Sequence, residues 1–172
     1  MKYLYGLYLV ICLVSCKAKN EIKPINNKGI SIAACPENGV CSLGVYKNKT
    51  LQVKTDNLGM IYPEMKNGNY LVLKFEYKKN ENSNYVDGGY REEIFIELNP
   101  ENLEIETTNL QDEKLFFARW CYCKGQTGYY KINQGKLSVV KVDNINFKIS
   151  LSFKIEEVPQ IINEINQTIK LQ

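Results

Sequence analysis

The sequence predicts a mainly β domain, an antiparallel meander closing into a sandwich or barrel, with one helix at its C-terminal end. Three observations predict it. Apolar and polar residues alternate with period two in segment after segment. Short turn-forming stretches separate those segments. A last group of isoleucines, in contrast, recurs at helical spacing.

The elements follow in chain order. "ISIAA" at residues 30–34, "VCSLGVY" from Val40 and "TLQVK" from Thr50 read as short strands. "YLVLKFEYK" from Tyr70 sends Leu71, Leu73, Phe75 and Tyr77 to one face. "EEIFIEL" from Glu92, "KLFFARWCYC" from Lys114, "GYYKI" from Gly128 and "KLSVVKV" from Lys136 continue the series. The clearest strand is "INFKISLSFKI". Ile145, Phe147, Ile149, Leu151, Phe153 and Ile155 share one face, and Asn146, Lys148, Ser150, Ser152 and Lys154 the other. One face buried and one wet is the antiparallel pattern. The separators "PENG" (36–39), "KNGN" (66–69), "VDGG" (86–89), "KGQTG" (124–128), "NQG" (133–135) and "VDN" (142–144) carry the residues that tight turns require. At the end, Val158, Ile161, Ile162, Ile165 and Ile169 fit a helix that Pro159 would open; an isoleucine-rich final strand is the rival reading.

The first residues address a compartment. Lys2, a short apolar run from Tyr3 to Val14 and a small residue before a cysteine have the layout of an export signal. The run is shorter than the ~20 apolar residues a membrane span needs. Its end, Leu13-Val14-Ser15-Cys16, resembles the lipobox of bacterial lipoproteins. The resemblance covers only this leader. It implies cleavage before Cys16, a diacylglycerol on the Cys16 thiol and an acylated new amino terminus. Lys17, where enteric inner-membrane members carry Asp, implies delivery to the outer membrane of the cell envelope. The expected organisation is a signal peptide at 1–15, a lipidated tether at 16–28, polar with one proline, and a single β-rich domain at 29–172. Attachment to the membrane is then through lipid, and two or more acyl chains hold stably where one does not.

Composition narrows the chemistry. Net charge is +3 with no basic block, which argues against nucleic acid. The chain has no histidine, so Ser-His and Cys-His nucleophile pairs and the commonest metal ligand are excluded. No cofactor-binding or metal-binding pattern is read. Cys12 belongs to the leader and Cys16 to the anchor, leaving Cys35, Cys41, Cys121 and Cys123 as disulfide candidates in an exported protein. In an extended strand the side chains of Cys121 and Cys123 lie about 6.6 Å apart. A disulfide needs its Cβ atoms about 3.8 Å apart. Crossed pairing, one cysteine of "CPENGVC" to each of "CYC", is therefore favoured, with a local Cys35–Cys41 bridge as the alternative. The C-x5-C and C-x-C spacings are poor zinc knuckles. A redox dithiol at C-x-C is a minor reading, since no thioredoxin-like pattern accompanies it.

Two residue classes compete for function. Glu92, Glu93, Glu97, Glu101, Glu104 and Glu106 supply carboxylates for a hydrolase, although no spacing singles out a catalytic pair and solvated strand faces explain them as well. Tyr85, Tyr90, Trp120, Tyr122, Tyr129 and Tyr130 gather around the polar loop 78–90 and the turn 124–130, and Tyr85, Tyr90, Tyr129 and Tyr130 are the expected binding surface for a protein or glycan. Arg119, inside an apolar strand, is expected to pair with a carboxylate or lie on an exposed edge. The sequons at Asn48 and Asn166 are read as chance in an Asn-rich chain. A non-enzymatic binding or structural module is the leading expectation. A carboxylate hydrolase is the alternative, and a cysteine-dependent redox protein comes third.

Overall fold

A computed structural model describes residues 35–80 and 89–171. The leader, Cys16, the tether, the strand expected at 30–34 and Tyr85 lie outside the described residues.

The described residues form nine strands: β1 (Gly39–Thr55), β2 (Ile61–Lys79), β3 (Arg91–Leu98), β4 (Ile105–Thr107), β5 (Leu115–Trp120), β6 (Gly128–Lys131), β7 (Gln134–Lys141), β8 (Asn146–Lys154) and β9 (Glu164–Lys170). They pair antiparallel into a five-stranded sheet, β1-β2-β3-β5-β6, and a four-stranded sheet, β4-β7-β8-β9. The chain is thus mainly β and antiparallel. It meanders through β1-β2-β3 and β7-β8-β9, but β4 leaves one sheet for the other between β3 and β5.

One apolar layer takes side chains from both sheets. Leu73, Phe75, Ile94, Ile96 and Phe117 come from the five-stranded sheet, and Leu137, Ile149, Leu151, Phe153, Ile165 and Ile169 from the four-stranded one. Phe117 and Phe153 meet across it with ring centroids 6.0 Å apart. In β8 the alternation read from sequence is kept: Ile149, Leu151 and Phe153 are buried, while Lys148, Ser152 and Lys154 are exposed.

β3 and β5 behave differently. Glu92 to Leu98 and Leu115 to Arg119 are buried on both faces. The cause is the length of β1 and β2. Their ladder shifts register at Lys47–Lys49, opposite Asn67–Tyr70. Asn48 adopts φ 55°, a left-handed conformation that Asn tolerates better than most residues. Gly68 faces Thr50 so closely that a Cβ there would lie 2.7 Å from the Thr50 side chain. Beyond this kink the hairpin continues as an arm across the outer face of the five-stranded sheet. Leu51 is buried there against Val72, Phe95, Phe116 and Ala118, with Ile61 and Met65 packed on the same cluster. Burying one leucine contributes about 2 kcal/mol. At the arm's tip Met60 lies over Gly128 of β6. The two short strands expected at Val40 and Thr50 are therefore one strand, and "KNGN" marks a bend within β2 rather than a turn between strands.

The expected C-terminal helix is corrected: that segment ends in strand β9. Ile165, Gln167 and Ile169 point inward, while Glu164, Thr168 and Lys170 are exposed. The helical spacing includes Val158, Ile161 and Ile162, which belong to the connection before β9. β-branched Ile and Thr favour the pleated alternative.

The favoured crossed disulfides are corrected as well. Cys35 pairs with Cys41 (Cα–Cα 5.8 Å) and Cys121 with Cys123 (Cα–Cα 5.3 Å). Cys41 lies opposite Tyr77, Tyr77 opposite Glu92, and Glu92 opposite Arg119. Those three steps put the cysteine pairs about 14 Å apart, twice what a disulfide spans. β5 also stops at Trp120, so "CYC" sits in a bent loop where the strand spacing that argued against local pairing does not apply.

Candidate functional site

Period two in four adjacent strands assembles a mixed aromatic and charged cluster on the outer face, beside the arm. β2 contributes Lys74 and Glu76, β3 Arg91, Glu93 and Phe95, β5 Trp120, and β6 Tyr129. Glu76 lies opposite Glu93, Glu93 opposite Ala118, and Ala118 opposite Tyr129; Arg91 lies opposite Trp120. Two facing glutamates would repel, and Lys74 lies between them, 2.5 Å from Glu93 and 3.2 Å from Glu76. Glu93 is the hub. It is 4 % exposed and accepts a 2.7 Å hydrogen bond from Trp120 Nε1, with Arg91 Nε at 3.5 Å. Burial pushes its carboxyl up, but the Lys74 and Trp120 hydrogen bonds and the charges of Lys74 and Arg91 outweigh that and hold it below the usual range. Burial likewise pushes the Lys74 ammonium down, and its hydrogen bond and charge pairing with Glu93 lift it above the usual value. The pair is thus ionised at neutral pH.

The Trp120 ring is fixed on three sides. Its N–H is bound by Glu93, Tyr129 meets it edge-on at 5.2 Å and 86°, and the Arg91 guanidinium lies 5.8 Å from its centroid. Tyr129 also packs on Phe95 at 6.1 Å. Trp120 and Tyr129 remain half-buried, and the Arg91 side chain is 44 % exposed. A rigid aromatic pair with charges already compensated suits recognition.

The inner face of the same strands carries a different network. Glu92 is fully buried; it accepts from the backbone N–H of Ile161 and of Ile162, each at 2.7 Å, and from the Tyr90 hydroxyl. Arg119 Nε donates to Tyr90 Oη at 3.3 Å, and Arg119 Nη1 donates to the backbone and side-chain oxygens of Gln126 at 3.3 and 2.8 Å. Arg119 is therefore buried, with a hydroxyl and an amide as partners, and meets Glu92 only through Tyr90. Burial and the Glu92 hydrogen bond push the Tyr90 hydroxyl up to about 12. The third buried glutamate, Glu97, holds the arm: Oε2 accepts from Leu51 N–H at 2.5 Å and Thr50 Oγ1 at 2.8 Å, and Lys114 lies 2.8 Å from Oε1.

Of the tyrosines expected to form one surface, Tyr90 and Tyr130 face the inter-sheet core, where Tyr130 packs 6.3 Å from Phe117. Tyr129 faces outward with Trp120. Neighbours on a strand point oppositely, so 129 and 130 cannot share a patch. Lys74 and Arg91 are not singled out by the sequence, and Glu93 is named there only among the carboxylates available to a hydrolase. The signal available was register: once β3 is central, Arg91 and Glu93 must share a face with Phe95. No protein-family model, curated protein or solved structure matches the chain.

Proposed function

We propose that this protein is a lipid-anchored β-sandwich module of the bacterial cell envelope that binds a protein or glycan partner through the outer-face cluster around Trp120, without turning it over. The observation that carries the reading is the fixed, half-buried Trp120–Tyr129 pair with Arg91 beside it. Trp, Tyr and Arg are the residue types that dominate binding energy at protein interfaces, and that favours a protein partner. The competing hydrolase needs carboxylates free to act. Glu92 and Glu97 are engaged by backbone N–H groups, and Glu93 by Trp120 and Lys74. A carrier of small apolar ligands draws less support. The mixed cleft between Tyr70, Leu103, Phe147 and Leu171 is about 290 Å³, at the small end for ligand pockets.

The lipidated Cys16 and outer-membrane address rest on the lipobox resemblance. Fatty-acid labelling should mark the wild type and not Cys16→Ala; equal labelling sinks the anchor. Capture from envelope extracts and on glycan arrays should fall for Trp120→Ala by about 2 kcal/mol, roughly thirty-fold in affinity. Arg91→Ala, which leaves the Trp120–Glu93 bond intact, should weaken capture less. A partner held equally by all three proteins removes this face from the argument, and hydrolysis of the molecule captured there overturns the reading that this face binds without turnover.

A further inference from the structure

The second disulfide differs from the first in ways that concern chemistry. Cys35 and Cys41 pack against the inter-sheet core. Cys121 and Cys123 belong to neither apolar cluster and lie in the loop beyond β5, around a Tyr122 that is 89 % exposed. They enclose a single residue. Because the stabilisation from a cross-link grows with the length of chain it closes, this spacing gives the fold least. The loop also has its own closure. Thr127 Oγ1 donates to the Cys121 carbonyl at 2.9 Å, Gln126 N–H donates to the Cys123 carbonyl at 3.2 Å, and Arg119 holds Gln126 from β5. The Gln126 and Arg119 bonds therefore brace the loop whether or not the sulfurs are joined, even when the Thr127 hydroxyl turns from the carbonyl. All four cysteines are half-buried, so the difference lies in the setting: the second bridge sits in an exposed loop and does little for stability, and reachable bridges of that kind are the labile, exchanging ones.

We propose that Cys121–Cys123 is a thiol–disulfide exchange site that oxidises a partner protein's dithiol, with Tyr122 offering the contact surface. A partner thiolate attacks Cys123 Sγ. The Cys121–Cys123 bond breaks, a mixed disulfide forms on Cys123, and Cys121 leaves as thiolate. The Thr127 hydroxyl, 3.8 Å from Cys121 Sγ, is placed to swing its hydrogen bond onto that leaving thiolate while keeping its own proton. The partner's second thiolate then attacks its own sulfur in the mixed disulfide and releases Cys123. Two electrons pass from the partner dithiol to the C-x-C pair, and the two protons the dithiol gives up end on Cys121 and Cys123. Exchange with another protein disulfide runs the step backward and resets the site. Lys124, next in sequence, adds positive charge beside the sulfurs.

The test uses the oxidised full chain and a reduced synthetic Cys-x-x-Cys peptide, with acid quench, alkylation and peptide mapping over time. The expected result is alkylation at Cys121 and Cys123, about one equivalent of peptide oxidised per chain, and an intact Cys35–Cys41 bridge. Cys121→Ser with Cys123→Ser should lose the transfer and Cys35→Ser with Cys41→Ser should keep it. Thr127→Val should slow it several-fold. Reduction of Cys35–Cys41 first or at the same rate, or peptide oxidation no faster than with the Cys121→Ser, Cys123→Ser chain, overturns the proposal. An unchanged rate in Thr127→Val overturns Cys121 as the leaving sulfur. The wild-type mapping is decisive even if a serine variant folds poorly, and it is independent of partner capture at Trp120.

Discussion

Glu92→Ala should lower the free energy of unfolding by about 3–5 kcal/mol, the largest effect expected of any single change considered. The substitution orphans the buried backbone N–H of Ile162 and the part-buried one of Ile161, and removes the acceptor of the Tyr90 hydroxyl. Each buried group left unsatisfied costs roughly 1–3 kcal/mol. Against a typical total of about 5–15 kcal/mol this approaches unfolding. Glu92→Gln keeps one carbonyl oxygen but turns an amide N–H₂ toward a donor, so it should recover only part of the loss. Urea denaturation measures both, with the exposed Glu101→Ala as the control expected to change stability by less than about 0.5 kcal/mol. A Glu92→Ala protein as stable as that control would show that the connection before β9 docks without its carboxylate. The same site sets an alkaline limit. Tyr90 is raised above its ordinary 10 to about 12, so the stability its neutral hydroxyl contributes is complete below pH 10 and lost as pH rises through 12. Tyr90→Phe should flatten that part of the profile.

Glu97→Ala should release the arm, at about 2–3 kcal/mol. Its carboxylate accepts from the Leu51 N–H and the Thr50 hydroxyl and pairs with Lys114, which itself donates to the Leu51 carbonyl at 3.3 Å. Lys114 is 45 % exposed and regains water, so most of the cost falls on the buried Leu51 N–H. Hydrogen exchange should show lost protection along Thr50–Thr55 and Ile61–Lys66 before the rest of the sheet. Uniform loss across all nine strands would mean that the arm has no separate stability.

The sequence disclosed the strands whose two faces differ. The alternation at 145–155 predicts β8, which runs Asn146–Lys154, because Lys148, Ser152 and Lys154 stay wet. It concealed the arm, since a kink at Asn48 and Gly68 looks like two turns when residues are read locally, and only the register shows the ladder continuing. It misled at the end, where isoleucines of a loop and of a strand summed to a helical period. β4, three residues long, was too short to signal itself. The candidate site was half visible. Trp120 and Tyr129 stood out by type, while Glu93 and Lys74 acquire meaning only from cross-strand neighbours.

The arm also bears on how the chain escapes self-association while it folds. A β-rich chain must collapse among crowded neighbours. β3 and β5, with "EIFIEL" and "LFFA", are the kind of β-prone apolar segments that stack with copies of themselves when exposed. Sheet pairing alone leaves the outer surface of Phe95, Phe116 and Ala118 bare. The chain supplies its own cover from the same two strands that begin the sheet, so the shield cannot diffuse away and needs no partner. The interval between sheet formation and arm closure is then the period of greatest risk of self-association, and the lysines that edge the arm, Lys54 and Lys66 paired to Glu64, keep its outward side charged while it closes.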